Sequence, residues 1–255
     1  MSTAVPRAFS VLELLVTSPS GLPLGKIAEE LAIPPSATHR IVTELVDLGY
    51  LRSDSEGNYA LGLQLVSQAL RHLASIPLVE LARPTLDQLA ELSGELVRLS
   101  IPDGDHLVWV AKSQGARGGL RYDPDAGREA RFARTSSGLA WLSALPEDQA
   151  IARLQAQGFE RDDDSRSSGP RDLDEALAAV REARERGFAF TDSTHELGIA
   201  AVAVPVSRAD GTPAAVLSIA GPSVRLTRER ALELVPHLFR GREDLAVLAD
   251  STLHA

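Results

Sequence analysis

The 255-residue sequence contains no cysteine. That excludes disulfide bonds, thiolate catalysis and any zinc or iron–sulfur site built on cysteine ligands. Nor does it contain a run of about eighteen apolar residues, the length that reads as a membrane span. Met1 to Pro6 lacks the basic-then-apolar order of a secretion signal, so a soluble cytoplasmic chain with no membrane partner is expected. Positive charge is also scarce. There are 26 Lys and Arg against 35 Asp and Glu, a formal net charge of −9. Over the first 75 residues the basic side chains are Arg7, Lys26, Arg40, Arg52 and Arg71, outnumbered by Glu13, Glu29, Glu30, Glu44, Asp47, Asp54 and Glu56. A broad basic patch of the kind that dominates non-specific DNA affinity is therefore excluded there, and any nucleic-acid contact must rest on where a few cations sit.

What is present has the composition of a globular protein. Hydrophobic residues make up 44% and charged residues 24% of the chain, enough for packed cores, and the length suits one large or two medium domains. Residues 24–51, LGKIAEELAIPPSATHRIVTELVDLGYL, carry the most information. Leu24, Ile27, Ala28 and Leu31 recur at helical spacing, and Ile33-Pro34-Pro35 cannot continue that helix. Ser36 is the expected N-cap of a second helix, Ala37 to about Leu48, with Gly49 closing it. At 100° per residue, Ala37, Ile41, Leu45 and Leu48 share one side, flanked by Val42 and Val46. Ser36, His39, Arg40, Thr43 and Asp47 share the other. Thr38 points to the apolar side, where packing through its methyl is the simpler role.

An apolar face for docking and an opposite face of short polar donors with one guanidinium predict a helix-turn-helix. The following residues strengthen that reading. Tyr50-Leu51-Arg52 and Tyr59-Ala60-Leu61 flank a turn at Glu56-Gly57-Asn58, which predicts a wing. Residues 7–17 supply a supporting helix through Phe9, Leu12 and Val16. Leu63 to Ser75 forms a further helix whose apolar stripe, Leu63, Val66, Leu70 and Leu73, pairs with a symmetry mate or packs on its own domain. The expected division is 1–62 for the winged helix-turn-helix, 63–76 for a linker helix and 77–255 for a second domain.

That second domain reads as α+β. A helix over 77–93 is interrupted near Pro84. ELVRLSIP and HLVWVAKS alternate around Asp103-Gly104-Asp105, which predicts a hairpin. Leu120 to Arg134 is expected to be irregular, and helices are expected over 136–145, 147–157 and 173–186. Strands follow at FAFTD, IAAVAVPV and AAVLSIAGP, then a helix from Leu226 onward. The three aspartates of RDDDSRSSGP are consecutive and do not converge on one ion, so a solvated loop is expected and no metal. Catalysis is poorly supported. His195-Glu196 begins like a zinc-binding HExxH helix, but Ile199 stands where the second histidine is needed. TSSG lacks the first glycine of a nucleophile elbow. A triad of Ser136 or Ser137 with His195 and Asp192 has no geometric support in sequence.

In order and spacing, RAFSVLELL, LGKIAEELAIPPSATHRIVTELVDLGYL, GNYALG, ELARPTLDQLAELSGE, TSSGLAWLSAL, GFAFTDSTHELGIAAVAVPV and DGTPAAVLSIAGPSVRLT resemble the IclR family of transcriptional regulators. The resemblance implies a winged helix-turn-helix, a linker helix and a GAF-like domain with an antiparallel sheet flanked by helices. It further implies a small organic-acid effector, and a homodimer or dimer of dimers on a pseudo-palindromic double-stranded operator. No cofactor is implied. Departures are Pro35 where a basic residue is frequent, Ala37 where threonine is frequent, Leu139 for lysine, and Ala201 for cysteine.

For DNA, the candidates are Lys26, Ser36, His39, Arg40, Thr43 and Arg52. Arg40 suits guanine O6/N7 or a phosphate, and Arg52 suits phosphate or the minor groove. For the effector, free N–H groups where Thr135-Ser136-Ser137-Gly138 opens a helix favour an anion, although a serine N-cap explains Ser136 equally well. The resemblance favours a carboxylate site at Ser136, Ser137 and Gly138, walled by Asp192, His195, Glu196, Ala201, Ser218 and Ala220. Trp109 and Arg121 are weaker candidates. An alternative is a C-terminal domain that serves dimerisation or interaction and binds no ligand.

Overall fold

A computed structural model describes residues 4–124, 127, 129–159 and 168–251. The aspartate run at 162–164 lies outside the described residues. The chain divides into two compact units, 1–75 and 76–255.

In the first unit, α1 (Ala4–Val16), β1 (Leu22–Pro23), α2 (Leu24–Glu30) and α3 (Pro35–Asp47) are followed by β2 (Leu51–Ser53), β3 (Asn58–Leu61) and α4 (Leu63–Ala74). The three short strands form an antiparallel sheet in the order β1-β3-β2. Val11, Leu12, Leu15, Ile27, Ile41, Val42, Leu45 and Leu51 make one buried cluster, so α1, α2, α3 and the first wing residue meet in one core. But α1 packs through Val11, Leu12 and Leu15, and Phe9 and Val16 of the expected stripe are exposed.

The expected start of α3 needs correction. Pro35 is its first residue, where a missing N–H costs nothing and the fixed φ suits the helix. Ser36 is therefore already inside the first turn, and no side chain caps this end. The preceding turn holds Ala32 at φ 49°, a left-handed conformation that an L side chain adopts at a cost. Thr38 is buried, as its side of the helix requires, and its hydroxyl also donates to the carbonyl of Pro34 at 3.2 Å. Leu48, placed by periodicity on the docking face, is exposed because the helix has ended at Asp47.

Tyr50 joins three elements. Its N–H donates to Leu45 O at 2.9 Å, its carbonyl accepts from Gly62 N at 2.7 Å, and its hydroxyl donates to Gln68 Oε1 at 3.1 Å. Gly62 is required at that approach, because a Cβ there would lie 2.3 Å from the carbonyl oxygen of Gly49. No side chain of α4 is buried, and Leu63, Val66 and Leu70 face solvent along it.

The second unit contains α5 (Pro77–Leu81), α6 (Arg83–Ser93), β4 (Leu96–Asp103), β5 (His106–Gln114), α7 (Ser136–Ser143), α8 (Glu147–Gln157), α9 (Leu173–Arg186), β6 (Ala189–Asp192), β7 (Ile199–Ser207), β8 (Pro213–Pro222) and α10 (Arg228–Ser251). Its five strands are antiparallel in the order β5-β4-β8-β7-β6. Alternate residues of each strand face opposite layers. Val97, Leu99, Val202, Val204, Leu217 and Ile219 pack with α6 and α10. Trp109, Ala189, Ala203 and Val216 pack with α7, α8 and α9. The sheet is thus covered on both faces, which accounts for its long apolar strands. Among the described residues no helix is long and apolar enough to cross a membrane.

Candidate DNA-binding face and ligand cavity

Ser36, His39, Arg40 and Thr43 all lie exposed on α3, opposite the buried Thr38, Ile41, Val42 and Leu45. Helical spacing of three and four residues makes them one continuous strip. Docking on α1 and α2 fixes the orientation of that strip, so the polar face is presented by a packed core. Arg52 is exposed on β2 at the wing. The wing tip is held by Asp54, whose carboxylate accepts from the N–H groups of Asn58 and Glu56 at 2.9 Å each and from Asn58 Nδ2 at 3.1 Å. The bonds from Asn58, the backbone one first, hold the Asp54 carboxyl below the usual aspartate range.

Lys26 is differently placed. Its ammonium lies 3.2 Å from both Glu29 and Glu30, and those carboxylates, Glu30 first, raise its pKa. A phosphate must displace two intrahelical partners to engage it.

In the second unit, a cavity opens beside the start of α7. Its lining includes Arg98, Tyr122, Arg134, Thr135, Ser136, Thr191, Thr194, His195, Glu196, Ile199, Ala201 and Ala220. Strand register explains the space. Ala220 pairs with Ala201, and Ala201 with Thr191, so a row of small side chains crosses β8, β7 and β6. The void is about 320 Å³ including its open mouth.

Of the expected effector residues, Ser136, His195, Glu196, Ala201 and Ala220 come together in this lining, and Ser137, Gly138, Asp192 and Ser218 lie outside it. Each displacement has a physical reason. Ser137 is buried beneath α7 and accepts from Trp109 Nε1 at 3.4 Å. Gly138 packs so closely on Phe132 that a Cβ would lie 2.4 Å from its Cα. The cap of α7 is Thr135 rather than Ser136. Its Oγ1 takes the Gly138 N–H at 3.0 Å, which removes one of the donors expected for an anion. Asp192 is exposed at the end of β6, with opposite parity to the inward Thr191. Ser218 is buried in the sheet and donates to Arg98 O at 3.5 Å.

Two lining residues, Arg98 and Arg134, were not among the expected candidates. Arg98 lies over the Trp109 ring, 4.0 Å from its centroid, and 5.9 Å from that of Tyr122. Arg134 donates from Nη1 to Thr194 O at 3.3 Å, and Thr194 Oγ1 donates to Arg134 O. Inward strand parity flags Arg98, since Leu96, Arg98 and Ser100 share one face of β4. Arg134 stands in an irregular stretch where no periodicity identifies it. Tyr122 belongs to the strap that follows β5. Lys112 Nζ holds that strap through Asp123 at 2.7 Å and Pro124 O at 3.1 Å, and Gln114 holds it through Tyr122 O at 2.9 Å. The bond from Lys112 is the main cause of the lowered pKa of Asp123. Arg121 pairs with Asp123 and is not part of the lining.

A helix-turn-helix with a wing, followed by an α+β unit with a polar cavity at the start of a helix, is the architecture of a DNA-binding transcriptional regulator. The family models agree. Residues 4–55 match the IclR helix-turn-helix domain, and residues 70–245 match the C-terminal domain of bacterial IclR transcriptional regulators. The chain belongs to the IclR family, whose members are regulators and not enzymes. It is 28% identical over 251 residues to the acetate operon repressor of Salmonella typhimurium, covering 98% of this chain and 90% of the relative. It is 30% identical over 228 residues to the transcriptional regulator BhcR of Paracoccus denitrificans, covering 89% and 80% respectively. Among solved structures, an IclR transcriptional regulator from Alicyclobacillus acidocaldarius superposes with a TM-score of 0.81 at 22% identity, covering 98% of this chain and 99% of that one. An IclR homologue from Microbacterium hydrocarbonoxydans, complexed with 4-hydroxybenzoate, superposes with a TM-score of 0.75 at 22% identity, covering 96% and 98%. These two likenesses concern the fold.

Proposed function

We propose that Ser36, His39, Arg40 and Thr43 read operator DNA from the major groove, with Arg52 on the backbone beside the wing. The observation that carries this is the exposed polar strip of α3, fixed by the buried strip opposite. Such a helix reads bases with a few side chains while phosphate contacts set its register. A homodimer or dimer of dimers on a pseudo-palindromic site is part of the proposal, supported by the solvent-facing Leu63, Val66 and Leu70 of α4. A small organic acid in the cavity beside α7 changes operator affinity by favouring one arrangement of the linked DNA-binding units. Repression is the proposed direction, in keeping with the printed name of the Salmonella relative. The chain acts in the cytoplasm on this reading.

A gel-shift titration on DNA upstream of the protein's own gene, at two salt concentrations and against a scrambled duplex, tests it. Where that duplex carries no site, selection from a random-sequence pool supplies one. Specific retardation that weakens steeply with salt is expected. Arg40→Ala is expected to cost more than about 1 kcal/mol of operator affinity, the loss of one bidentate contact. Unchanged operator binding by that variant defeats the assignment of α3 as the reading helix. Failure of selection to return a site favours an interaction role for the chain.

A further inference from the structure

Asp47 stands on the exposed polar strip of α3 but has no part in the contacts proposed above. Eleven residues at 100° each bring it to within about 20° of Ser36. Ser36, Arg40, Thr43 and Asp47 thus form one line down the solvent side of the helix. Nothing in the fold accounts for a carboxylate there. Asp47 is the last residue of α3, where free carbonyls make the negative end of the helix, so an acid is disfavoured and a base preferred. No basic residue stands in that last turn. Among the described residues the Asp47 side chain has no hydrogen-bond or ion-pair partner. Glu44, three residues earlier and also exposed, adds a second negative charge. Glu29 and Glu30 of α2 differ, since Lys26 holds both.

Against DNA the same charge is selective. Phosphates repel it, and so do the acceptor edges of guanine, N7 and O6, and of thymine, O4. The donors of the major groove are the amino groups of cytosine and adenine, and adenine sets the N7 acceptor beside its own. Cytosine N4 is therefore the group from which a carboxylate on this line accepts most readily. Seven residues of helix from Arg40 to Asp47 span about 10 Å, on the order of three base pairs at about 3.4 Å each.

We infer that Asp47 is a specificity-determining residue, accepting from a cytosine N4 about three base pairs from the base that Arg40 reads, and penalising other bases there. This rests on α3 as the reading helix and adds a base and its position.

The test begins with selection of duplexes from a random-sequence pool by the full chain. The best duplex, and copies with each position changed in turn to the other three base pairs, are then titrated at one salt concentration with wild type, Asp47→Ala, Asp47→Asn and Arg40→Ala. The wild type is expected to lose about fivefold or more in affinity when one cytosine of each half-site is replaced, the effect of one lost base contact. Asp47→Ala is expected to bind all versions of that position alike, and to bind scrambled DNA more tightly because a repelling charge has gone. Asp47→Asn is expected to move the preference to adenine, whose N6 and N7 match an amide. Thermal melting followed by circular dichroism is expected to show no loss of stability in either variant, since the acid removed opposes the helix dipole. If Asp47→Ala keeps the wild-type preference at every position while Arg40→Ala loses it at one, the inference fails and the reading helix stands. If neither variant changes any preference, or no duplex is selected, both fail.

Discussion

Removing Arg225 is expected to cost more than removing its partner Glu95, although both variants delete the same ion pair. Arg225 grips Glu95 with two parallel bonds, Nε to Oε1 at 2.6 Å and Nη2 to Oε2 at 2.9 Å. The environment is unequal, since the Glu95 side chain is 6% exposed and that of Arg225 is 38% exposed. Arg225→Ala therefore strands a carboxylate in the protein, whereas Glu95→Ala leaves a guanidinium that water can reach. Breaking a fully buried pair from one side costs roughly 3–5 kcal/mol. Solvent at the arginine end reduces this, and about 2 kcal/mol is expected for Arg225→Ala, against about 1 kcal/mol for Glu95→Ala. The arginine also donates to Leu120 O at 2.8 Å, so its loss releases the strap as well. Urea unfolding followed by fluorescence measures this cleanly, because Trp109 and Trp141, the two tryptophans of the chain, both lie in the second unit. With an m-value of about 2 kcal/mol/M, Arg225→Ala lowers the midpoint by about 1 M and Glu95→Ala by about half as much. The double variant is expected to cost less than the two single costs together. Equal costs, or a larger cost for Glu95→Ala, refute the reasoning.

Three further outcomes are expected. Gly138→Ala puts a methyl against the backbone of Phe132 and should destabilise the second unit by about 2 kcal/mol or more in the same urea assay. Ala32→Gly relieves a left-handed alanine in the turn between α2 and α3 and should stabilise the first unit by about 0.5–1 kcal/mol, read from backbone circular dichroism on thermal melting. The Glu129 carboxylate, 3.0 Å from His106 Nδ1, raises the histidine's pKa. A raised folded-state pKa means that this pair stabilises the native state below the unfolded histidine's pKa, and that the contribution is lost as pH rises through the folded value. An NMR titration should place the His106 midpoint above the ordinary histidine value and return it there in Glu129→Gln.

The secondary structure of the second unit was legible because its strands are long, apolar and separated by turn residues such as Asp103-Gly104-Asp105. Helix ends were less so. Ser36 resembles an N-cap, but the helix starts at Pro35, before the expected Ala37. Leu48 continues the apolar period of α3 beyond the point where the backbone leaves it. The cavity was half legible. Ser136, His195, Glu196, Ala201 and Ala220 were placed from segment order and resemblance, yet strand parity set Asp192 outward and Ser218 into the sheet. Arg134 gave no signal, because an irregular segment has no period from which to infer the direction of a side chain.

The three bonds of Tyr50 have a mechanical consequence. They tie the last turn of α3, the end of the wing and the first turns of α4 to one residue. A twelve-residue helix is about 18 Å long, so α4 is a lever whose fulcrum sits at the end of α3. Any side chain at position 62 would collide with the carbonyl of Gly49, so the joint closes this tightly only on glycine. A torque on α4 therefore reaches the end of α3 through Tyr50, and Tyr50→Phe, which removes the hydroxyl's bond to Gln68 and keeps both backbone bonds, would soften the joint without parting it.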